Sequence, residues 1–210
     1  MIEDNSGKFF RFKLDFNLGF GFAEAYDFRD IHSADGSLVF VYNRIDQDAK
    51  KSYNVTEITS LGISFGPIRL VTYPNSRGRD AWKYLFKWDN FIIEQPNITK
   101  EALNLTPFDY DWNILKRWHK SNWDLKGLPE YVPYSEVRSL ETRIINSKFG
   151  VAKKATMKML IDNGASVTDY YDLSELGNRN MFVQLINTYY PLERTKELIR
   201  LIPVNEENSH

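Results

Sequence analysis

The hydrophobic rhythm of the chain changes once, and that change limits the folds open to it. Residues 8–28, "KFFRFKLDFNLGFGFAEAYDF", repeat every two residues, whereas the sequence after residue 135 repeats every three to four. Strands first and helices afterwards, without alternation between them, predict an α+β protein rather than a doubly wound one. In the opening run Phe10, Phe12, Leu14 and Phe16 face one way, with Arg11, Lys13 and Asp15 facing the other. Continued, the rhythm sets Phe16, Leu18, Phe20 and Phe22 against Asn17, Gly19, Gly21 and Ala23. A face of bare glycines lets a strand or a ring approach closely, or lets the strand bend. A dinucleotide-binding loop would need a third glycine where Glu24 stands, and a helix opening there. The stretch therefore reads as a bent core strand.

More strands follow. Asp35-Gly36 is a hairpin signal leading into "SLVFVYNRI", and "ISFGPIRLVTY" is broken at Gly66-Pro67, which predicts an edge strand or a bulge. The loop "PNSRGRD" leads into "AWKYLFKW", and Asp89-Asn90 turns the chain into "FIIE". About six strands at this spacing suit a small antiparallel sheet or barrel. Prolines 96, 107, 129 and 133 interrupt the next segment, in which "DYDWNILKRWHKSNW" predicts a short helix capped by Asp109 or Asp111. Beyond it, "SEVRSLETRIINS" predicts a helix capped by Ser135, and "VAKKATMKMLIDNG" one ending at Gly164. Asp172 and Glu175 have capping-box spacing before "LGNRNMFVQLINTYY", and "PLERTKELIRLIP" predicts a last helix from Pro191 to before Pro203. "KMLIDNGASVTD" matches part of an ankyrin repeat, but without further repeats it reads as a helix end. The expected organisation is an antiparallel β domain over 1–105, an irregular aromatic connector over 106–134, a helical subdomain over 135–204 and a disordered tail over 205–210. The fold expected is an N-terminal curved antiparallel sheet or half-barrel followed by a C-terminal α-helical subdomain.

Composition removes several kinds of chemistry. The 210 residues include no cysteine, which excludes disulfides, thiolate catalysis and cysteine-ligated metals. Only His32, His119 and His210 supply imidazole. The 27 basic and 28 acidic residues give a net charge of −1, and residues 1–60 hold seven Lys/Arg against ten Asp/Glu. That balance argues against direct nucleic-acid binding, for which a basic excess is the usual footprint. "MIEDNSGKFF" has acids where a signal peptide carries bases, and no apolar run approaches membrane-spanning length. A cytoplasmic protein with no membrane contact is expected.

Few residues group as reacting centres do. Asp27, Asp30, His32 and Asp35 allow an oxygen-and-imidazole metal site, but lack a second histidine and read better as a polar turn. Asp109 and Asp111 resemble the acidic pair of some glycosyltransferases, yet no strand–helix alternation accompanies them and capping explains both. Arg77 and Arg79 flank Gly78 and suit a phosphate, a carboxylate or simply an exposed loop. His119 has no visible partner, and no serine or threonine has a nucleophile's context. No catalytic residue, metal or cofactor is expected. The densest aromatic segment holds Trp112, Trp118 and Trp123 interleaved with Lys116 and Arg117. It suits either a satellite core or a protein-binding surface, and with Arg77 and Arg79 it is the expected partner-binding face.

The opening residues also resemble the bacterial Immunity protein 26 family of polymorphic-toxin systems. The match falls on Gly7, Phe9, Phe12, Leu14, Gly19, Phe20 and Gly21, and later on Trp82 and Pro96 in "DAWKYLFKWDNFIIEQP". Glu24-Ala25 departs from the basic-plus-valine pair of the family pattern. The resemblance covers residues 7–105 and implies a non-enzymatic protein that binds and neutralises a cognate toxin domain. The rival expectation, from another class, is a small-molecule- or nucleotide-binding enzyme. It would use a cleft between the two halves, with Arg77, Arg79 and the aspartates near His32.

Overall fold

The computed structural model describes residues 7–27, 37–50, 52–71, 73–74, 82–88, 103–107, 118–122, 130–141 and 146–203. Five antiparallel strands form an open sheet: β1 (Lys8–Lys13), β2 (Phe20–Asp27), β3 (Ser37–Asp46), β4 (Ile63–Leu70) and β5 (Lys83–Lys87), in the order β4-β3-β2-β1-β5. Helices follow, chiefly α3 (Lys148–Asp162), α4 (Leu176–Tyr189) and α5 (Leu192–Leu198), so the protein is α+β. As the Gly66-Pro67 break predicts, β4 is an edge strand and its register against β3 shifts between Val39 and Val41.

The sheet is buried on both faces, which the alternation alone does not show. Phe10, Phe12, Leu14, Ala23, Ala25, Val39 and Val41 pack on one face with Val151, Ala152 and Ala155 of α3. The opposite face holds Phe9, Phe22 and Tyr42 under Ile58 of α1 (Val55–Thr59), with Tyr53 and Trp88 packed alongside. Arg11, on the face opposite Phe10 and Phe12, is consequently only 9% exposed. The helix α1 escapes the apolar period because it is short. Its signal is instead a capping box: the Asn54 side chain accepts from Glu57 N, and the Glu57 carboxylate from Asn54 N.

The two glycines have different tasks. The strand expected to run through Phe16 ends at Lys13, and a tight turn closes with Leu14 N donating to Gly19 O at 3.0 Å. Gly19 has φ +109°, and a β-carbon there would lie 2.5 Å from the Asp46 carbonyl oxygen. Gly21 faces Phe12 across the hairpin, and a β-carbon there would meet the Phe12 ring at 2.6 Å. The ring occupies that space and stacks on Trp82 at 4.8 Å. Burying such a ring contributes about 2–3 kcal/mol.

Two helical expectations change. Among the described residues of "SEVRSLETRIINS" the helix is the single turn α2 (Tyr134–Val137), with Pro133 rather than Ser135 in the cap position. By Asn146 the chain is bridged to the edge of β4, donating to Arg69 O at 2.7 Å, a pairing that a continued helix would forfeit. The helix expected around "WHKSN" is a strand: β6 (Leu103–Pro107), β7 (Trp118–Asn122) and β8 (Glu130–Val132) form a second antiparallel sheet. Pairing of β7 on both edges outweighs the weak helix preference of this run. Residues 204–210 lie outside the described residues.

The two halves meet through a second apolar cluster. Met157, Leu160 and Ile161 of α3 pack on Phe182, Leu185 and Ile186 of α4 and on Leu198 of α5, while Leu18 touches both this cluster and the sheet core. Asn163 and Gly164 end α3, with Ala165 N donating to Leu160 O at 2.9 Å.

Candidate functional site

The turn between β1 and β2 builds one wall of an open cleft of about 540 Å³. Phe16 and Asn17 both hold φ 57°, a left-handed conformation that asparagine tolerates and phenylalanine rarely adopts. The Asp15 amide donates to Thr156 Oγ1 at 3.0 Å, and the Asp15 carboxylate accepts from Tyr171 Oη at 2.7 Å. These bonds tie the turn to α3 and to the chain after it. So anchored, Phe16 leans on Tyr171 at 4.9 Å and Tyr170 at 5.4 Å, yet stays 51% exposed.

The helical half supplies the other wall. Phe149 lies in the first turn of α3, off the buried stripe, and is 50% exposed. Lys153, one turn on, lies 5.1 Å from the Phe149 ring and donates to Asn178 Oδ1 at 2.8 Å. Asn178 in turn donates to Asp172 O at 3.0 Å and Glu175 Oε2 at 2.9 Å. Val167 and Leu173 are buried on either side of Tyr170, which leaves that ring at the surface. Hydrogen bonds thus fix Asp15, Lys153 and Asn178, and ring contacts hold Phe16 and Phe149 against them.

Carboxylates dominate the lining: Asp15, Asp172 and Glu175 against the single ammonium of Lys153. The Ser174 hydroxyl and amide, donating to Asp172 Oδ1 at 2.6 and 2.8 Å, hold that carboxyl below the usual carboxylate range. Asp172 therefore caps a local turn rather than pairing with Glu175 in the expected capping box, because Glu175 is taken by Asn178. Burial first, and then the hydrogen bond to Asp15, push the Tyr171 phenol well above its ordinary range. It stays a neutral donor to the Asp15 carboxylate. Half-exposed rings beside fixed negative charge suit a cationic, partly apolar segment of another protein.

Arg77, Arg79, Trp112, Lys116, Arg117 and Trp123 fall outside the described residues, as do Asp30, His32, Asp35, Asp109 and Asp111. The backbone of Trp118 begins β7, paired with Pro107 and Val132, and His119 follows it opposite Thr106 and Tyr131. Asp27 ends β2. Among the described residues no three His, Asp or Glu side chains gather in a group suited to a metal ion, and no helix is long and apolar enough to cross a membrane. Sequence reasoning missed Phe16, Phe149 and Tyr170. Phe149 was detectable as a ring off the α3 stripe, whereas Phe16 was hidden by counting it into the strand. Comparison with family models, curated proteins and solved structures finds no match to this chain.

Proposed function

We propose that the protein is a non-enzymatic immunity protein that binds and neutralises a cognate bacterial toxin domain. A cationic segment of the toxin docks between Phe16, Phe149 and Tyr170. The observation that carries this reading is three large rings held half-exposed on rigid supports beside three carboxylates. Aromatic anchors lose little side-chain entropy on docking, and the acidic rim speeds encounter with a basic partner. The resemblance of residues 7–105 to the immunity family supplies the partner class.

The test is co-expression with the C-terminal domain of the protein encoded by the neighbouring reading frame, scored as growth rescue, with affinity measured on purified proteins. Phe149→Ala and Tyr170→Ala, each shown to melt like wild type, should weaken binding at least about 30-fold, the equivalent of roughly 2 kcal/mol. Alanine at Trp118 and Trp123 is the comparison arm. If those variants lose rescue while Phe149→Ala and Tyr170→Ala keep it, the connector rather than the cleft is the docking face. If the wild-type chain neither binds nor rescues, the immunity reading fails.

A further inference from the structure

Arg11 is a buried cation without an anion among the described residues. Its Nη1 is inaccessible and has no hydrogen-bond partner there, and the guanidinium lies 4.5 Å from the Phe20 ring and 5.9 Å from that of Tyr53. Across the strands it faces Lys83 of β5, and Lys13 lies two residues along β1 on the same face. Neither lysine forms an ion pair among the described residues. Nearby Arg44 is paired with Asp46 at 2.8 Å and Lys50 with Glu57 at 3.4 Å. The buried acid of this face, Glu24, accepts from Tyr42 Oη at 2.6 Å. No ion pair joins Glu24 to Arg11 among the described residues.

Like charges opposite each other on neighbouring strands destabilise a sheet, and a buried unpaired cation costs more still. The arrangement becomes favourable once an anion lies between the three cations. Strand geometry places their Cα atoms about 5–8 Å apart, within reach of a single tetrahedral group for long side chains. A charge-assisted hydrogen bond from the rest of the guanidinium and two flanking ammonium groups favour a dianion over a monocarboxylate. We infer that Arg11, Lys13 and Lys83 form a phosphate-binding site on the α1-covered face of the sheet, with Phe20 and Tyr53 as its aromatic walls. This site is independent of the toxin-docking cleft.

The experiment is thermal denaturation of the full chain at constant ionic strength, comparing inorganic phosphate with chloride. Saturating phosphate should raise Tm by about 3–6 °C. Arg11→Met should abolish that rise and should melt no lower than wild type in chloride, because it removes an uncompensated charge. Lys83→Ala, at an exposed position, should melt no lower than wild type in chloride and raise the half-saturating phosphate concentration about tenfold. Adenosine 5′-monophosphate and adenosine separate the sources of the group. A stronger effect of the monophosphate than of inorganic phosphate identifies a nucleotide, and an equal effect identifies free phosphate. The inference is overturned if phosphate gives no rise beyond chloride, or if adenosine alone reproduces it. Persistence of the full rise in Arg11→Met overturns it too. Should Arg11→Met not fold, an undiminished phosphate response in both Lys83→Ala and Lys13→Ala overturns it instead.

Discussion

Replacing Lys154 with methionine should destabilise the protein by about 3–5 kcal/mol, and replacing Glu141 with leucine as well should recover most of the loss. Lys154 lies mid-way along α3, where a lysine would ordinarily reach solvent. Instead its Nζ donates to both carboxylate oxygens of Glu141, at 2.8 and 2.9 Å, and both side chains are 6% exposed. The ammonium also lies 5.6 Å from the Phe65 ring of β4 and 5.1 Å from the Tyr189 ring of α4. At 2.8 Å and an effective dielectric constant near 20, the attraction is about 6 kcal/mol before desolvation is charged against it. Methionine fills the volume of the lysine stem but leaves Glu141 buried and unpaired, the situation that costs about 3–5 kcal/mol. The double variant replaces the pair by apolar groups and should fall within about 1 kcal/mol of wild type, or above it. Urea denaturation followed by tryptophan fluorescence and by circular dichroism gives the three stabilities and the coupling term of the double-mutant cycle. Because the pair sits where sheet, α3 and α4 meet, the two probes should separate in the single variant if the halves begin to unfold independently. A cost under about 1 kcal/mol for Lys154→Met would mean that water screens this pair like a surface one, and the reasoning would fail.

Gly21→Ala should cost about 1–3 kcal/mol by displacing the Phe12 ring, and in a Phe12→Leu background its extra cost should shrink, as denaturant titration will show. Gly19→Ala should cost about 3 kcal/mol or more, because the left-handed backbone and the fixed Asp46 carbonyl both resist it and no side-chain change relieves either. Glu24 sets a pH dependence of known sign: burial raises its pKa above 4.5, outweighing the opposing hydrogen bonds from Tyr42 and Tyr26. The folded state therefore binds the proton more tightly, so this contribution is fully present below the unfolded pKa and is lost as pH rises through the folded one. Glu24→Gln should be no less stable than wild type at neutral pH and should flatten the Tm–pH curve above about pH 4.5; a steeper curve in the variant would contradict the assignment.

What was legible in the sequence was what local chemistry decides. The change of hydrophobic period separated sheet from helices, Gly66-Pro67 marked an edge strand, and Gly164 marked the end of α3. What escaped it was decided by distant partners. Covering of the second sheet face by Ile58 and Tyr53 buries Arg11, which the two-residue rhythm sets only opposite Phe10 and Phe12. Pairing with β6 and β8 made Trp118–Asn122 a strand where a helix was expected. Helix α2 ends at Val137 after one turn, and Asn146 docks on the edge of β4. Asp172 and Glu175 have the spacing of a capping box, yet Ser174 and Asn178 compete for them and win. Spacing establishes that a hydrogen bond is available, and the rest of the fold decides who takes it.

The turn at residues 15–17 shows most directly how a departure from local pattern produces a surface. An uninterrupted strand would bury Phe16 beside Phe12 and Leu14, where its period places it. Two consecutive left-handed residues cost about 1–2 kcal/mol each when neither is glycine, less for the asparagine. That cost is offset by the bonds Asp15 makes to Thr156 and Tyr171, which exist only when the chain turns at this point. The consequence is a phenylalanine expelled from the sheet core and fixed against the helical half, beside Phe149, Tyr170 and the carboxylates of the cleft. If burial alone governed the turn, glycine or a polar residue at position 16 would serve it better than a large ring. A ring kept in a strained, half-exposed position, on a support that over-determines it, is accounted for when another molecule covers it. The strain, the anchoring and the exposure thus converge on one residue, and they favour the junction of sheet and helices as the docking face.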